Sequence, residues 1–287
     1  MFVNERPVSV APGARVRDAV EQLDHDLAAL VGRGAAYVTD GVGRPVDAGD
    51  PVGEGGAIFR VVVSARQGPP LLSKELPRRW PKAELHVHLD GCLRPQTMLE
   101  LARAAAEYRT AGVVAFDLAG AERGFPARDH AGAFAYATRH GLACTCHAGE
   151  GDGPDSIRQA LHECGARRIG HGTRLGEDGP LLEYVVAQRV PLEMCLTSNL
   201  HTRTVSSLAD HPFKRYLDRG VVVTLNTDGR LVDGVSLTDE YFLAHAQGGL
   251  AREDLARVVL NACESAFLPE FEKVALVSRV QSELEAL

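Results

Sequence analysis

The pattern of apolar and polar positions changes near residue 80. Before that point, short apolar runs alternate with turns rich in Gly and Asp. Three of these runs predict strands: 7–10, 35–38 and 57–63. Four apolar residues recur at the i, i+3, i+4 and i+7 spacing of one helix face: Val16, Ala19, Val20 and Leu23. The pattern predicts a small α+β domain over residues 1–66, followed by a linker over 67–80.

From Pro81 onward, short apolar strands alternate with amphipathic helices. Six segments predict strands: 83–88, 113–118, 142–147, 167–171, 190–195 and 221–226. This alternation is typical of a parallel sheet whose strands are joined by crossover helices. The second domain, over residues 81–287, is therefore predicted to be α/β.

Composition narrows the class of partner. The 287 residues carry a formal net charge of -7, and the basic residues are scattered, so the positive surface of a nucleic-acid-binding protein is not expected. The apolar runs are shorter than the roughly 20 residues that span a bilayer, and the first residues, MFVNERP, lack an apolar secretory core. We expect a cytoplasmic protein that binds a small molecule, with no nucleic-acid or membrane partner.

Titratable side chains gather at or just beyond the C-terminal ends of the predicted strands, where barrel enzymes build their sites. His86 and His88 are two residues apart on a strand, so both imidazoles point to the same face. Four further residues follow later strands: His147, Glu150, His171 and Asp228. Ordinary core or surface residues would give no reason for this alignment, which therefore predicts one common site.

The residue types in this alignment indicate metal-assisted hydrolysis. Three neutral imidazoles and a carboxylate are donors that suit zinc and leave a position for water. Zinc lowers the pKa of such a water to about 7. A further His and a Glu are then available to orient the water and to act as a general acid.

Six motifs of this region appear in the order found in the adenosine deaminase family, which the chain resembles from Pro81 to about Phe267: PKAELHVHLDGCLRP, VVAFDLAG, CHAGE, RIGHGTRL, EMCLTSNL and VVVTLNTD. The resemblance implies a (β/α) barrel of the TIM type. It also implies zinc-dependent hydrolytic deamination of adenosine or a related amino-purine nucleoside, with release of ammonia.

The same resemblance implies a role for individual residues. Four would bind one zinc ion: His86, His88, His147 and Asp228, the last also counted as catalytic. Glu150 would protonate purine N1, and His171 would orient the attacking water. Asp90 would contact the ribose, and Gly120 would approach the N3 edge of the purine. His201, His211 and His245 lie outside the matched positions.

The last motif departs from the family at one position. Where the family has TDD or TDN, with the final residue contacting purine N7, this chain has TDG and ends the motif on Gly229. Losing such a hydrogen bond costs about 1 to 3 kcal/mol. The identity of the substrate therefore stays open, and a water or Arg230 is a candidate for the lost contact.

The chain is also shorter than the family barrel. The stretch between His88 and His147 lacks room for two strand and helix units that the resemblance leads us to expect. A barrel with those units missing exposes strand edges. We expect the N-terminal domain, or a second subunit of a homo-oligomer, to cover them.

The order of elements before residue 66 resembles the β-grasp (ubiquitin-like) fold, most closely its sulfur-carrier branch. Carrier function needs a free Gly-Gly chain end, whereas here the last strand continues through SARQGPPLL. A carrier role is therefore not expected.

Three hypotheses about function remain open. The chain is an active zinc aminohydrolase, an inactive relative that serves as a binding or scaffold module, or a zinc hydrolase that acts on another C–N bond. The complete ligand set favours the first, whereas Gly229 and the missing strands motivate the other two.

Overall fold

A computed structural model describes residues 2–4, 6–32, 36–40, 44–52, 58–63, 78–86 and 95–286. The chain divides into two compact units. One comprises Met1–Trp80 and Tyr241–Glu253, and the other comprises Pro81–Glu240 and Asp254–Leu287. The domain boundaries drawn from the sequence stay predictions.

The first unit contains a mixed sheet in the order β2-β1-β5-β3-β4. Its elements are β1 Phe2–Val3, β2 Arg6–Pro7, α1 Val16–Leu23, α2 His25–Gly32, β3 Ala36–Asp40, β4 Pro45–Val46 and β5 Ile58–Val63. The pair β1 and β5 is parallel, and the other neighbouring pairs are antiparallel. The central pairing of the first and last strands supports the β-grasp classification, which stays a prediction.

Helix α1 has the buried face that its spacing predicts, because Val16, Ala19 and Val20 are fully buried in the apolar core of this unit. The strand predicted over residues 7–10 is wrong in its position. The strand ends at Pro7, which has no N–H to continue a ladder.

The second unit contains a parallel sheet of five strands in the order β10-β9-β8-β7-β6. The strands are β6 Ala115–Leu118, β7 Ala143–Ala148, β8 Arg168–His171, β9 Leu192–Met194 and β10 Val223–Leu225. Five of the six predicted strands are thereby confirmed. Consecutive strands are neighbours, so their C-terminal ends lie along one edge and can share a site.

Ten α-helices are described after residue 94. They are α3 Pro95–Glu107, α4 Ala131–Arg139, α5 Pro154–His162, α6 Gly179–Ala187, α7 Leu196–His201, α8 Phe213–Asp218, α9 Arg230–Asp233, α10 Leu237–Ala246, α11 Arg252–Ser265 and α12 Glu270–Glu285. Pro154 begins α5 at a position where its missing N–H costs nothing. Within the described part of the chain, no helix has the length and apolar character needed to cross a membrane.

The first predicted strand of this unit, 83–88, has no regular structure over its described part. It instead bonds to residues that follow β10. The Leu85 N–H donates to Asn226 Oδ1 at 3.0 Å, and the Asp228 N–H donates to the His86 carbonyl at 3.1 Å. The side chain of Asn226 thus replaces part of the backbone hydrogen bonding of a strand. His86 still lies beside the end of β10, where the first strand of a barrel would place it.

Candidate metal and catalytic site

Four residues from separate segments meet at the C-terminal end of the parallel sheet. Their potential ligand atoms all lie within 4.8 Å of one another: His86, His147, His171 and Asp228. His86, His147 and Asp228 belong to the predicted zinc ligand set. His171, predicted to orient water, lies in the same cluster. The predicted ligand His88 and the predicted ribose contact Asp90 lie outside the described residues.

Two members of the cluster have unusual backbone conformations. His171 has a φ of 63° at the end of β8, and Asp228 has a φ of 56° just beyond β10. Residues other than glycine uncommonly adopt this left-handed region, although Asp and His do so more often than most. Such residues cost of the order of 1 to 3 kcal/mol and cluster at functional sites. The backbone is therefore strained at both residues, whose side chains lie in the cluster.

Gly170 makes room for the clustered imidazoles. The rings of His86 and His147 stack with their centroids 4.6 Å apart. A Cβ at residue 170 would lie 2.8 Å from His147 Cδ2 and 2.8 Å from His86 Cε1. Strand β8 can therefore pass this ring pair only if it carries glycine here.

A buried carboxylate orients the ring of His86. Glu193 Oε2 lies 2.9 Å from His86 Nδ1, and Oε1 of the same carboxylate accepts hydrogen bonds from Arg168 Nε and, at 3.2 Å, from Thr145 Oγ1. The charge and hydrogen bonds of His86 and Arg168 outweigh burial and lower the pKa of Glu193. An ionised carboxylate only accepts hydrogen bonds, so Nδ1 of His86 carries a proton.

The other ring nitrogen of His86 faces into the cluster. His86 Nε2 lies 2.9 Å from His147 Nε2 and 3.4 Å from Asp228 Oδ1. Burial lowers the pKa of His86, but hydrogen bonds and charges from Asp228 and Glu193 outweigh it and raise that pKa to about 10. The surroundings therefore favour a positive charge at this point.

Asp228 is held ionised within the cluster. Burial raises the pKa of its carboxyl, but the hydrogen bond to His86, the charge of His171 and a 2.6 Å hydrogen bond from Ser198 Oγ lower it well below its ordinary value. A carboxylate and two facing imidazole nitrogens fit a divalent cation, and this mixture of nitrogen and oxygen donors is typical of zinc.

Glu150 adjoins the cluster. Its Oε2 lies 3.5 Å from His171 Nε2. Its Oε1 accepts hydrogen bonds from Asn199 Nδ2 and Thr202 Oγ1, both at 3.0 Å. Burial raises the pKa of Glu150, and the nearby charge of Asp228 also raises it, whereas the two hydrogen bonds lower it. A carboxyl group that keeps its proton to higher pH is suited to act as a general acid.

The loop that carries Glu150 is held by a residue that the sequence patterns do not single out. Glu122 accepts hydrogen bonds from the backbone N–H groups of Gly149 and Glu150, both at 2.9 Å, and of Asp152 at 3.1 Å. Ser156 Oγ adds a fourth bond at 3.1 Å. These bonds fix the backbone immediately after His147.

Three further residues at the site are not identified by the sequence patterns: Glu193, Ser198 and Asn199. Glu193 has a signal, because it is a charged residue within the apolar strand segment VPLEMC, and a buried charge requires a partner. Ser198 and Asn199 lie in the motif EMCLTSNL, which carries the resemblance. Their partners are distant along the chain, so no local pattern identifies them.

The two glycines predicted to line the substrate pocket follow strand ends. Gly120, with a φ of 127°, lies two residues beyond β6. Gly229 follows Asp228 directly, and a Cβ there would have ordinary contacts with Asp233 Oδ2 at 3.6 Å and Val232 Cβ at 3.7 Å. Residue 229 thus has room for a side chain. The predicted substrate contacts of both positions stay predictions.

Comparisons with known proteins agree with the resemblance. The adenosine deaminase family profile matches residues 100–283. An adenosine deaminase from Klebsiella pneumoniae is 47% identical over 169 residues, which are 59% of this chain and 51% of the relative. This chain thus spans about half the length of the curated relatives that it matches.

Solved structures with the same fold include two purine deaminases. An adenine deaminase from Arthrobacter aurescens has a TM-score of 0.63 and 28% identity, over 67% of this chain and 59% of its own. The N6-mAMP deaminase of Arabidopsis has a TM-score of 0.60 and 29% identity, over 66% of this chain and 56% of its own. The parallel sheet is therefore part of a TIM-type barrel fold. Since the profile covers more than half of its residues, the chain belongs to the adenosine deaminase family.

Proposed function

We propose that this protein is a zinc-dependent aminohydrolase that replaces the exocyclic amine of an amino-purine nucleoside with oxygen and releases ammonia. The observation that carries the proposal is the meeting of His86, His147, His171 and Asp228, with Glu150 Oε2 only 3.5 Å from His171. This arrangement joins a metal-binding group to a proton donor, and metal-assisted hydrolysis of an amine uses both.

In this proposal His86, His147 and Asp228 hold the zinc ion, together with His88. The Glu193 carboxylate fixes the orientation of His86, as expected of a group behind a metal ligand. A bound zinc ion supplies a Lewis acid that lowers the pKa of water to about 7.

Glu150 and His171 supply the proton chemistry. The water oxygen bonds to purine C6 while Glu150 delivers its proton to N1, and His171 orients the water for this attack. The C6–N bond then breaks and the amine leaves as ammonia. In net balance, the two water protons end on N1 and on ammonia, and Glu150 regains its proton.

The names of the relatives support a purine substrate. Adenosine, adenine and N6-mAMP, named for the enzymes similar to this chain, all carry a nitrogen substituent at C6. Gly229 provides no side chain for the N7 edge of such a purine. This favours, as a second candidate, the same zinc chemistry on another C–N bond.

Glu150→Gln tests the role of the acid. The amide cannot deliver a proton, but it leaves the metal-binding residues unchanged. We expect normal zinc content and a loss of at least about 100-fold in the rate of ammonia release from the best amino-purine substrate. Glu163→Gln makes the same change at an exposed position and should preserve turnover. Turnover by Glu150→Gln at the rate of the unmodified protein would contradict the assignment.

A further inference from the structure

A buried histidine outside the predicted site lies two hydrogen bonds from Glu150. His211 is 7% exposed, and its Nδ1 accepts a hydrogen bond from the Phe213 N–H at 3.2 Å. Burial lowers the pKa of His211 to about 4, so the ring is neutral near pH 7. A neutral imidazole that accepts at Nδ1 carries its proton on Nε2. His211 Nε2 lies 3.2 Å from Asn199 Oδ1 and therefore donates to it.

This donation orients the amide of Asn199. Thr173 Oγ1 also reaches Asn199 Oδ1, at 3.3 Å, but a hydroxyl can donate or accept and does not choose the orientation. His211 can only donate. The amide NH2 therefore points the other way, towards Glu150 Oε1 at 3.0 Å and His171 Nδ1 at 3.2 Å.

The oriented amide selects the tautomer of His171. Because Nδ1 accepts from Asn199, the proton of a neutral His171 ring lies on Nε2, which faces Glu150 Oε2 at 3.5 Å and Asp228 Oδ2 at 3.9 Å. His86 has the opposite arrangement, because the Glu193 carboxylate holds a proton on its Nδ1. With its Nδ1 proton held by Glu193, His86 would bind a metal ion through Nε2 after that nitrogen gives up its proton, whereas His171 offers an N–H to a substrate or water.

The same amide also selects the oxygen of Glu150 that carries a proton. Oε1 already accepts hydrogen bonds from Asn199 Nδ2 and Thr202 Oγ1. A proton on Glu150 is therefore favoured on Oε2, the oxygen nearer to His171 and the cluster.

We infer that His211 and Asn199 are positioning residues. The Phe213 N–H fixes the tautomer of His211, and His211 fixes the orientation of the Asn199 amide. This amide then holds the His171 proton on Nε2 and the Glu150 proton on Oε2. The effect on turnover rests on the proposed aminohydrolase function. The tautomer of His171 does not depend on turnover and can be measured in the resting protein.

Long-range 1H–15N NMR spectra of the full chain labelled with 15N-histidine test this inference. Protonated and unprotonated ring nitrogens have distinct 15N frequencies, and His171→Gln identifies the signals of His171 by their loss. Because His171 Nδ1 accepts from Asn199 Nδ2 at 3.2 Å, we expect a proton on His171 Nε2 and none on Nδ1. A proton on Nδ1 in the unmodified protein would overturn the inference.

Asn199→Asp is nearly isosteric and turns the donor that faces His171 into an acceptor. We expect the His171 proton to move to Nδ1 and kcat to fall by about 100-fold, as for a displaced acid–base group. Asn261→Asp makes the same change at a distant amide, which donates to the Val223 carbonyl at 3.0 Å, and should leave the His171 signals unchanged. An unchanged His171 tautomer in Asn199→Asp would overturn the inference.

Two variants of His211 distinguish the effect of its hydrogen bonds from the effect of its size. The amide of His211→Gln can accept from Phe213 N–H and donate to Asn199, so we expect the unmodified tautomer of His171 and kcat within about 3-fold. His211→Leu cannot donate, and we expect mixed tautomers of His171 and a kcat about 10-fold lower with little change in KM. We call this series of hydrogen bonds, from His211 through Asn199 to His171 and Glu150, the relay. Unmodified His171 signals in a folded His211→Leu would contradict the relay.

The outcomes also separate the two proposals. If no amino-purine is deaminated but the NMR spectra change as expected, the relay stands and the proposed function fails. If ammonia is released but Asn199→Asp leaves the His171 tautomer unchanged, the function stands and the relay fails. Asn199→Asp alone decides on the relay if leucine at residue 211 prevents folding.

Discussion

At the scale of single residues, Gly170 shows how little space the site contains. A Cβ at this position would approach both His86 and His147 to 2.8 Å, a distance that real Cβ atoms do not tolerate. The two rings would have to separate, and their ring nitrogens could no longer face each other at 2.9 Å. The shape of the metal-binding group therefore depends on a residue that binds nothing.

Gly170→Ala should weaken zinc binding by at least about 10-fold, a loss similar to that caused by removing a group behind a metal ligand. Titration of the metal-free protein with zinc in competition with a chelator measures it. Gly132→Ala, within α4, adds the same methyl group where no atom beyond the adjoining residues and the helix's own backbone lies within 4 Å, and it should leave zinc affinity unchanged. Equal zinc affinity in both variants would show that the space at Gly170 is unimportant.

Gly229→Asn tests whether the pocket recognises a purine. The position has room for a side chain, and an added amide can donate to the N7 edge, for a gain of about 1 kcal/mol or roughly 5-fold in affinity. The dissociation constant of inosine, the expected product from adenosine, measures the effect. Gly229→Ala adds the Cβ without the amide and therefore without the hydrogen bond. If Asn and Ala give the same affinity, the predicted N7 contact is wrong.

At the scale of elements, the turn from β9 into α7 delivers Ser198 and Asn199 to the site. Fully buried Glu240 accepts hydrogen bonds from the Leu196 N–H at 2.8 Å and from Thr197 through both its N–H and its hydroxyl. Burial raises the pKa of Glu240 from 4.5 to about 8, although these hydrogen bonds lower it. The start of α7 thus depends on a carboxyl group that titrates near neutral pH.

Glu240→Gln should change how stability varies with pH. Between pH 4.5 and about 8, the folded chain keeps a proton on Glu240 that the unfolded chain has lost. Stability therefore falls as pH rises through this window, by up to about 1.4 kcal/mol per pH unit from this one group. Glutamine cannot ionise and removes that slope. Urea unfolding between about pH 5 and pH 8 measures it, with Glu163→Gln as the exposed control; identical slopes in all three proteins would refute the prediction.

Several of these elements, and some of the site positions, can be predicted from the sequence. Five strands follow from apolar runs, because burial on both faces of a parallel sheet leaves a local signature. The positions of His147, His171 and Asp228 at strand ends follow from the same runs. The pairing of Glu193 with His86 does not, since these residues are distant along the chain and only the fold brings them together.

At the scale of the whole molecule, the parallel sheet has β6 and β10 as its edges among the described strands. Near β6, three large apolar residues are exposed: Leu101 at 43%, Tyr108 at 61% and Val114 at 48%. The chain spans about half the length of its curated relatives, and the two strand and helix units expected from the family resemblance would adjoin this edge. We therefore propose that a second subunit covers this edge of the sheet.

Sedimentation of the purified protein tests covering by a second subunit. We expect a dimer that Leu101→Glu dissociates, because a charge placed in an apolar interface must be desolvated. Phe271→Glu introduces the same charge at an exposed apolar residue of α12 and should leave the dimer intact. A monomeric unmodified protein, or a dimer unaffected by Leu101→Glu, would rule out this form of covering.

Zinc-dependent deamination is tested most directly by measuring zinc content and ammonia release in the same purified sample, with adenosine and other amino-purines as substrates. We predict close to one zinc ion per chain and ammonia release that a chelator abolishes and added zinc restores. Folded protein that binds no zinc when zinc is supplied, or ammonia release that does not depend on zinc, would contradict the proposed function.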